Sequence, residues 1–162
     1  MSTAEESTTK TATDKSTSGS AGFSAEERAA MKARAAELKA DAKRGRAEDK
    51  AAAEKATMMK KIAEMPQPDR GMAERLHGIV TDAAPDLLPK LYYGQPGWSR
   101  AGKVVVFFRS GQMDKERYST LGFSADANLD AAGGLWATAY ALTEITDEGA
   151  TTIAELVRKA VS

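Results

Sequence analysis

The chain has 162 residues, 23 Lys and Arg against 23 Asp and Glu, one histidine and no cysteine. Disulfides, thiolate metal sites and cysteine nucleophiles are excluded, and the length suits one domain with an extension. No run of about eighteen apolar residues occurs, so no membrane span is expected, and the first twenty residues lack the apolar core of a secretory signal, which makes the cytoplasm the expected location.

Residues 1–22 are rich in Ser, Thr, Ala, Gly and Lys without periodic apolar positions. Such a segment buries too little surface to offset its ordering entropy, so it is expected to be a disordered tail. Residues 23–50 form an Ala-rich, charged arm. Ser24 with Glu27 three residues on makes a capping box. Met31, Ala35, Leu38 and Ala42 give the arm a thin apolar face, and Gly45 is expected to stop its helix. From Arg28 to Lys61 there are eleven basic residues against five acidic ones. That imbalance can mark a nucleic-acid arm, but the basic residues are interleaved with Glu37, Asp41, Glu48, Asp49 and Glu54.

Residues 51–162 read as the folded domain. A second helix is expected to run from about Ala47 to Met65, with Met58, Ile62 and Met65 on one face, and to end at Pro66. A third opens at Pro68-Asp69 and carries Met72, Leu76, Ile79, Val80 and Ala83 at the spacing of a buried stripe. After Pro85 the period changes. Strands are expected at about Lys90–Gly94, Lys103–Ser110, Arg117–Phe123 and Ala137–Thr143, joined by short connectors at Arg100-Ala101-Gly102 and Gly111–Asp114. Asp147 to Val161 is a last helix, acidic at its start and basic at its end. Strands contiguous in sequence between helices argue an α+β fold: a four-to-five-stranded antiparallel sheet with helices packed on one face.

Five segments of this domain, KLYYGQPGW at Lys90–Trp98, GKVVVFF at Gly102–Phe108, YSTLGF at Tyr118–Phe123, NLD at Asn128–Asp130 and IAELVRKA at Ile153–Ala160, resemble in order and spacing the YdhG-like family. That family is grouped with frataxin-like iron chaperones. The resemblance covers roughly the last hundred residues and implies the same sheet-and-helix fold. It also implies, as the most concrete activity, handling of iron through acidic side chains on the first helix and adjoining strand. Here Asp69, Glu74, Asp82 and Asp86 have Arg70 and Arg75 among them, an ordinary mixed surface.

Other candidate chemistry is sparse. His77 lacks an evident catalytic partner beyond Glu74 at i−3 and reads as a helix residue beside Val80. Asp126-Ala127-Asn128-Leu129-Asp130 starts like a calcium loop but has Ala131 where glycine is needed and Ala137 in place of the closing glutamate, leaving Asp126 and Asp130 as the only metal candidates. Ser124 lacks the glycine and the following histidine of a nucleophile elbow. No catalytic residue is assigned, and the chain is expected not to be an enzyme; a catalyst of unfamiliar type is the third reading.

The strongest signal is the unbroken run Val104-Val105-Val106-Phe107-Phe108 among aromatic neighbours. Alternation puts Val104, Val106 and Phe108 on one side of a strand, where leaving them wet would forfeit roughly 1.5–3 kcal/mol each. With Tyr92, Tyr93, Trp98 and Trp136 they form the expected contact face for a protein partner, a second copy or a small ligand. The first reading is therefore a small binding or chaperone module, with iron handling implied by the resemblance alone. The alternative is nucleic-acid association through the basic arm.

Overall fold

A computed structural model describes residues 22–162. The expected disordered tail lies outside the described residues except for Gly22. Eight elements follow in order: α1 (Ala25–Ala63), α2 (Asp69–Ala83), β1 (Leu88–Tyr92), β2 (Gln95–Arg100), β3 (Lys103–Arg109), β4 (Ser119–Phe123), β5 (Ala139–Leu142) and α3 (Asp147–Ala160). The chain divides into two units, residues 1–43 and 44–162. No helix among the described residues is long and apolar enough to cross a membrane.

In the first unit the described residues are all exposed. Ser24 caps α1 by accepting a hydrogen bond from the Glu27 backbone N–H at 3.1 Å, with Glu26 and Glu27 against the positive end of the helix. Gly45 does not stop this helix, which runs on to Ala63. Glycine in a helix interior costs only about 1 kcal/mol relative to alanine, and the Ala, Lys, Arg and Glu on either side are strong helix formers.

The second unit is α+β. Its five strands form one antiparallel sheet in sequential order β1-β2-β3-β4-β5. The helices bury their apolar stripes against one face of it. Met58 and Ile62 of α1, Leu76 and Val80 of α2 and Ile153 and Val157 of α3 join Trp98, Val106, Phe108 and Leu121 of the sheet in a single core. The α2 and α3 boundaries agree with the sequence signals. Thr146 caps α3 by accepting from the Gly149 N–H at 3.0 Å, and Ala83 ends α2 just before Pro85.

One strand was not expected. Residues 95–100 form β2, and a two-residue turn at Tyr93-Gly94 joins it to β1; both turn residues have positive φ, 49° and 78°. Ala101-Gly102, with φ of 51° and 79°, makes the same kind of turn between β2 and β3. Positive φ at both central residues is the hairpin turn whose twist matches that of the strands.

The five-residue apolar run has an internal irregularity. Gly97 pairs with Phe107 and Trp98 with Val106, but Ser99 pairs with Val104, so Val105 is an extra, unpaired residue. A bulge of this kind shifts the alternation of the strand by one. Val105, Val106 and Phe108 consequently lie in the core, while Val104 and Phe107 point to the other side.

Candidate functional site

The side of the sheet away from the helices is where the expected contact face was placed, and its composition differs from that expectation. Val106 and Phe108 are fully buried and Trp98 is 1% exposed, all three within the core. They are not surface residues: the bulge reverses the parity on which Val106 and Phe108 were grouped, and Trp98, on β2, is the cross-strand partner of Val106 and shares its core side. Trp136 is in the exposed segment ahead of β5, beside Leu135. Of the expected set, the structure brings Tyr92 and Tyr93 together, with Val104 close by.

Phe107 is the residue the expectation omitted. Its ring lies 5.1 Å from that of Tyr92, which in turn meets Tyr93 edge-on at 4.6 Å. Two glycines underlie this group. A Cβ built on Gly97 would come 3.0 Å from the Tyr92 Cβ and 3.3 Å from Val104 Cγ1, and one on Gly122 would overlap the edge of the Phe107 ring. The outer face thus covers much of itself: flat aromatic side chains lie over bare backbone, a known way of compensating strand glycines. Gly97 and Gly122 are both buried beneath them.

Polar groups close one end of this aromatic cluster. Arg109 donates from Nε to Asp114 Oδ2 at 3.2 Å and pairs through Nη2 at 3.1 Å. Gln95 Nε2 reaches both oxygens of Asp114 at 3.2 Å. Asp114 is therefore saturated with donors, whereas Arg109 Nη1 has no partner among the described residues. A hollow of about 400 Å³ is lined by Tyr92, Tyr93, Gln95, Phe107 and Arg109. A second, of about 380 Å³, shares Phe107 and Arg109 and extends past Tyr118 and Thr120. Both fall within the usual size range of small-molecule sites, about 300–1,000 Å³.

The loop that carries Asp114 is fixed from below. Buried Asp69, the first residue of α2, accepts from the Ser110 hydroxyl and, at 3.1 Å, from the Gln112 N–H. Ser110 in turn donates its N–H to Gln95 Oε1, and Gly111 N–H reaches Ser119 Oγ at 3.0 Å. No buried side-chain polar atom among the described residues lacks a partner. Sequence reading missed this network because its members are 41 and 43 residues apart.

His77 has a partner that sequence did not suggest. Trp98 Nε1 donates to His77 Nδ1 at 3.3 Å, the two rings being 19° from parallel. Burial, with a smaller contribution from the Lys55 charge, holds the imidazole below its ordinary pKa of 6.5. The residue is a neutral acceptor for a core indole.

The metal candidates fare differently from the aromatics. Asp126 sits 3.7 Å from Lys103 Nζ and takes part in a turn in which its N–H bonds Ser124 Oγ at 3.1 Å. Asp69 is spent on Ser110 and Gln112. Among the described residues no three His, Asp or Glu side chains gather as a metal ion would require. The donor set does not fit the carboxylate-rich iron site that the family resemblance implies. No family model, curated protein or solved structure matches this chain.

Proposed function

We propose that the chain is a small binding module whose outer sheet face takes a ligand bearing a flat ring and an anionic or hydrogen-bond-accepting group. The ring would stack in the hollow between Tyr92, Tyr93 and Phe107, and the acceptor would meet Arg109. Tyr93 carries this reading. It is 90% exposed and sits at a positive-φ turn position where Asn or Gly is the ordinary choice. A left-handed conformation costs an L-residue with a Cβ roughly 1–2 kcal/mol. Local strain on an exposed aromatic is a reason to look for function there. Iron is not part of the proposal.

Binding of ring-bearing anions, such as indole carboxylates and nucleoside monophosphates, can be followed by amide and aromatic NMR shifts on the full chain. The expected result is saturable shifts gathered at Tyr92, Tyr93, Phe107 and Arg109, with affinity at least tenfold weaker in Tyr93→Ala. Shifts gathered elsewhere, or affinity unchanged in that variant, would remove the reading.

A further inference from the structure

The arm's charges are interleaved in sequence but sorted in space. At about 100° per residue, Arg28, Lys32, Lys39 and Lys43 fall within one arc of roughly 60° on α1. Arg34, Glu37 and Asp41 lie on the opposite side, where Arg34 pairs with Glu37 at 3.3 Å. No acidic residue of 25–43 comes within about 90° of the basic arc by the same helical geometry. The four cations of the arc are exposed and make no ion pair among the described residues. Along the axis they span about 22 Å at 1.5 Å per residue, and in sequence the same register goes on to Arg46 and Lys50.

We infer that this arc is a binding surface for the phosphate backbone of duplex nucleic acid. The surface suits an anionic partner because no acidic residue of 25–43 lies within it. It suits an extended, repeating partner because the cations recur at four- and seven-residue intervals along the helix. Alanines flank the arc on both sides, Ala36 and Ala40 on one and Ala35 and Ala42 on the other, so the helix can approach a backbone closely. A membrane surface fits less well. An interfacial helix buries a broad face of large apolar residues, and between residues 25 and 57 only Met31 and Leu38 are large and apolar. Contacts from these cations to phosphate oxygens carry no sequence information, so binding through them would be independent of sequence.

The test is fluorescence anisotropy of the full chain with a mixed-sequence DNA duplex of about three helical turns, across a salt series. Four to six neutralised phosphates predict a log–log salt slope of about −3.5 to −5.5. Lys39→Gln should weaken binding about five- to tenfold near 0.1 M salt and lower the slope by about one. Arg34→Gln, which removes the same charge from the opposite face, should change affinity less than twofold. Gln is a good helix former, and circular dichroism of both variants checks that the helix is kept. Equal effects of the two substitutions would show that only net charge matters and would overturn the assignment to this face. So would the absence of salt-sensitive binding, or tighter binding to phosphatidylserine vesicles than to the duplex. None of these outcomes depends on the outer sheet face.

Discussion

The Phe107 ring lies on Gly122 so closely that there is no space between them for a Cβ. The two residues are cross-strand partners on β3 and β4, and their contact is what closes the middle of the outer face. Gly122→Ala must push the ring off the sheet or bend the strand. Overpacking of this kind typically costs about 1–3 kcal/mol, and a shift in the urea midpoint measures it. Phe107→Leu leaves room for the methyl group, so the double variant should be less destabilised than the two single effects added together. Simple additivity would mean that the ring does not rest on this glycine.

Buried Asp69 ties the N-terminus of α2 to the loop after β3. Asp69→Ala would leave the Ser110 hydroxyl and the Gln112 N–H without their acceptor. Leaving a buried donor unmatched costs about 1–3 kcal/mol; the Ser110 hydroxyl is buried while the Gln112 N–H is partly open to water, so a loss of about 2 kcal/mol is expected. Hydrogen exchange should show the effect concentrated at residues 110–114. The loop holds Asp114, and through it Arg109, so ligand affinity at the outer face should fall along with stability. A variant that unfolds more easily but keeps its exchange protection at Gln112 would contradict this coupling.

How much of this was legible in the sequence depends on whether each signal was local. The amphipathic stripes of α2 and α3 and their Pro and Thr boundaries are local, and the sequence reading placed both helices correctly. The antiparallel α+β architecture followed from strands without intervening helices. Strand β2 was not read because Pro96 and Gly97 look like strand breakers. Pro96 is tolerated since it pairs only with Leu91 of β1, and the ladder to β3 begins at Gly97. Tyr93-Gly94 escaped notice as a turn because tyrosine stands where asparagine is usual.

The site was half legible for a different reason. Tyr92 packs against Tyr93 and Phe107, but an apolar run carries no mark of where its alternation slips. Only the pairing of Ser99 with Val104 reveals that Val105 is extra, and that one residue moves Val106 and Phe108 inward and Phe107 outward. The glycines at 97 and 122 were the available clue, since bare backbone in two strands calls for a cross-strand aromatic to cover it. Gly45 misled in the opposite direction, because a stop signal in a strongly helical context is only a small local penalty.

His77 makes stability depend on pH in a predictable direction. Its pKa is lowered in the folded chain, mainly by burial and secondarily by Lys55, so the unfolded chain binds the proton more readily. Stability from this group is then fully present above the unfolded value of about 6.5 and is lost progressively as pH falls below it. Protonation of Nδ1 would also remove the acceptor of the Trp98 indole. Because the chain has one histidine, a single imidazole proton resonance reports its titration. The midpoint should lie below 6.5, and Lys55→Gln should raise it by less than the full displacement, since burial is the larger cause. Replacing His77 by Gln should flatten the pH dependence below about 6.5. A midpoint at or above 6.5 would remove this account.

Gly45 offers a test of α1 itself. It is within the helix, and a Cβ built on it would have nothing within 4 Å. Its φ is not positive, so alanine fits without strain. The substitution should stabilise the helix locally by about 1 kcal/mol through the lower backbone entropy of alanine. Because the flanking residues are almost all exposed, this segment depends on its own propensity rather than on packing, and it should fray at modest temperature. Ellipticity at 222 nm should therefore rise in Gly45→Ala and decline over a broader, higher temperature range. If the arc of Arg28, Lys32, Lys39 and Lys43 requires a formed helix, the same variant should bind duplex DNA more tightly without any added charge, since less ordering remains to be done on binding. Higher helicity with unchanged affinity would separate the helix from the binding and leave the charges acting from an unordered segment.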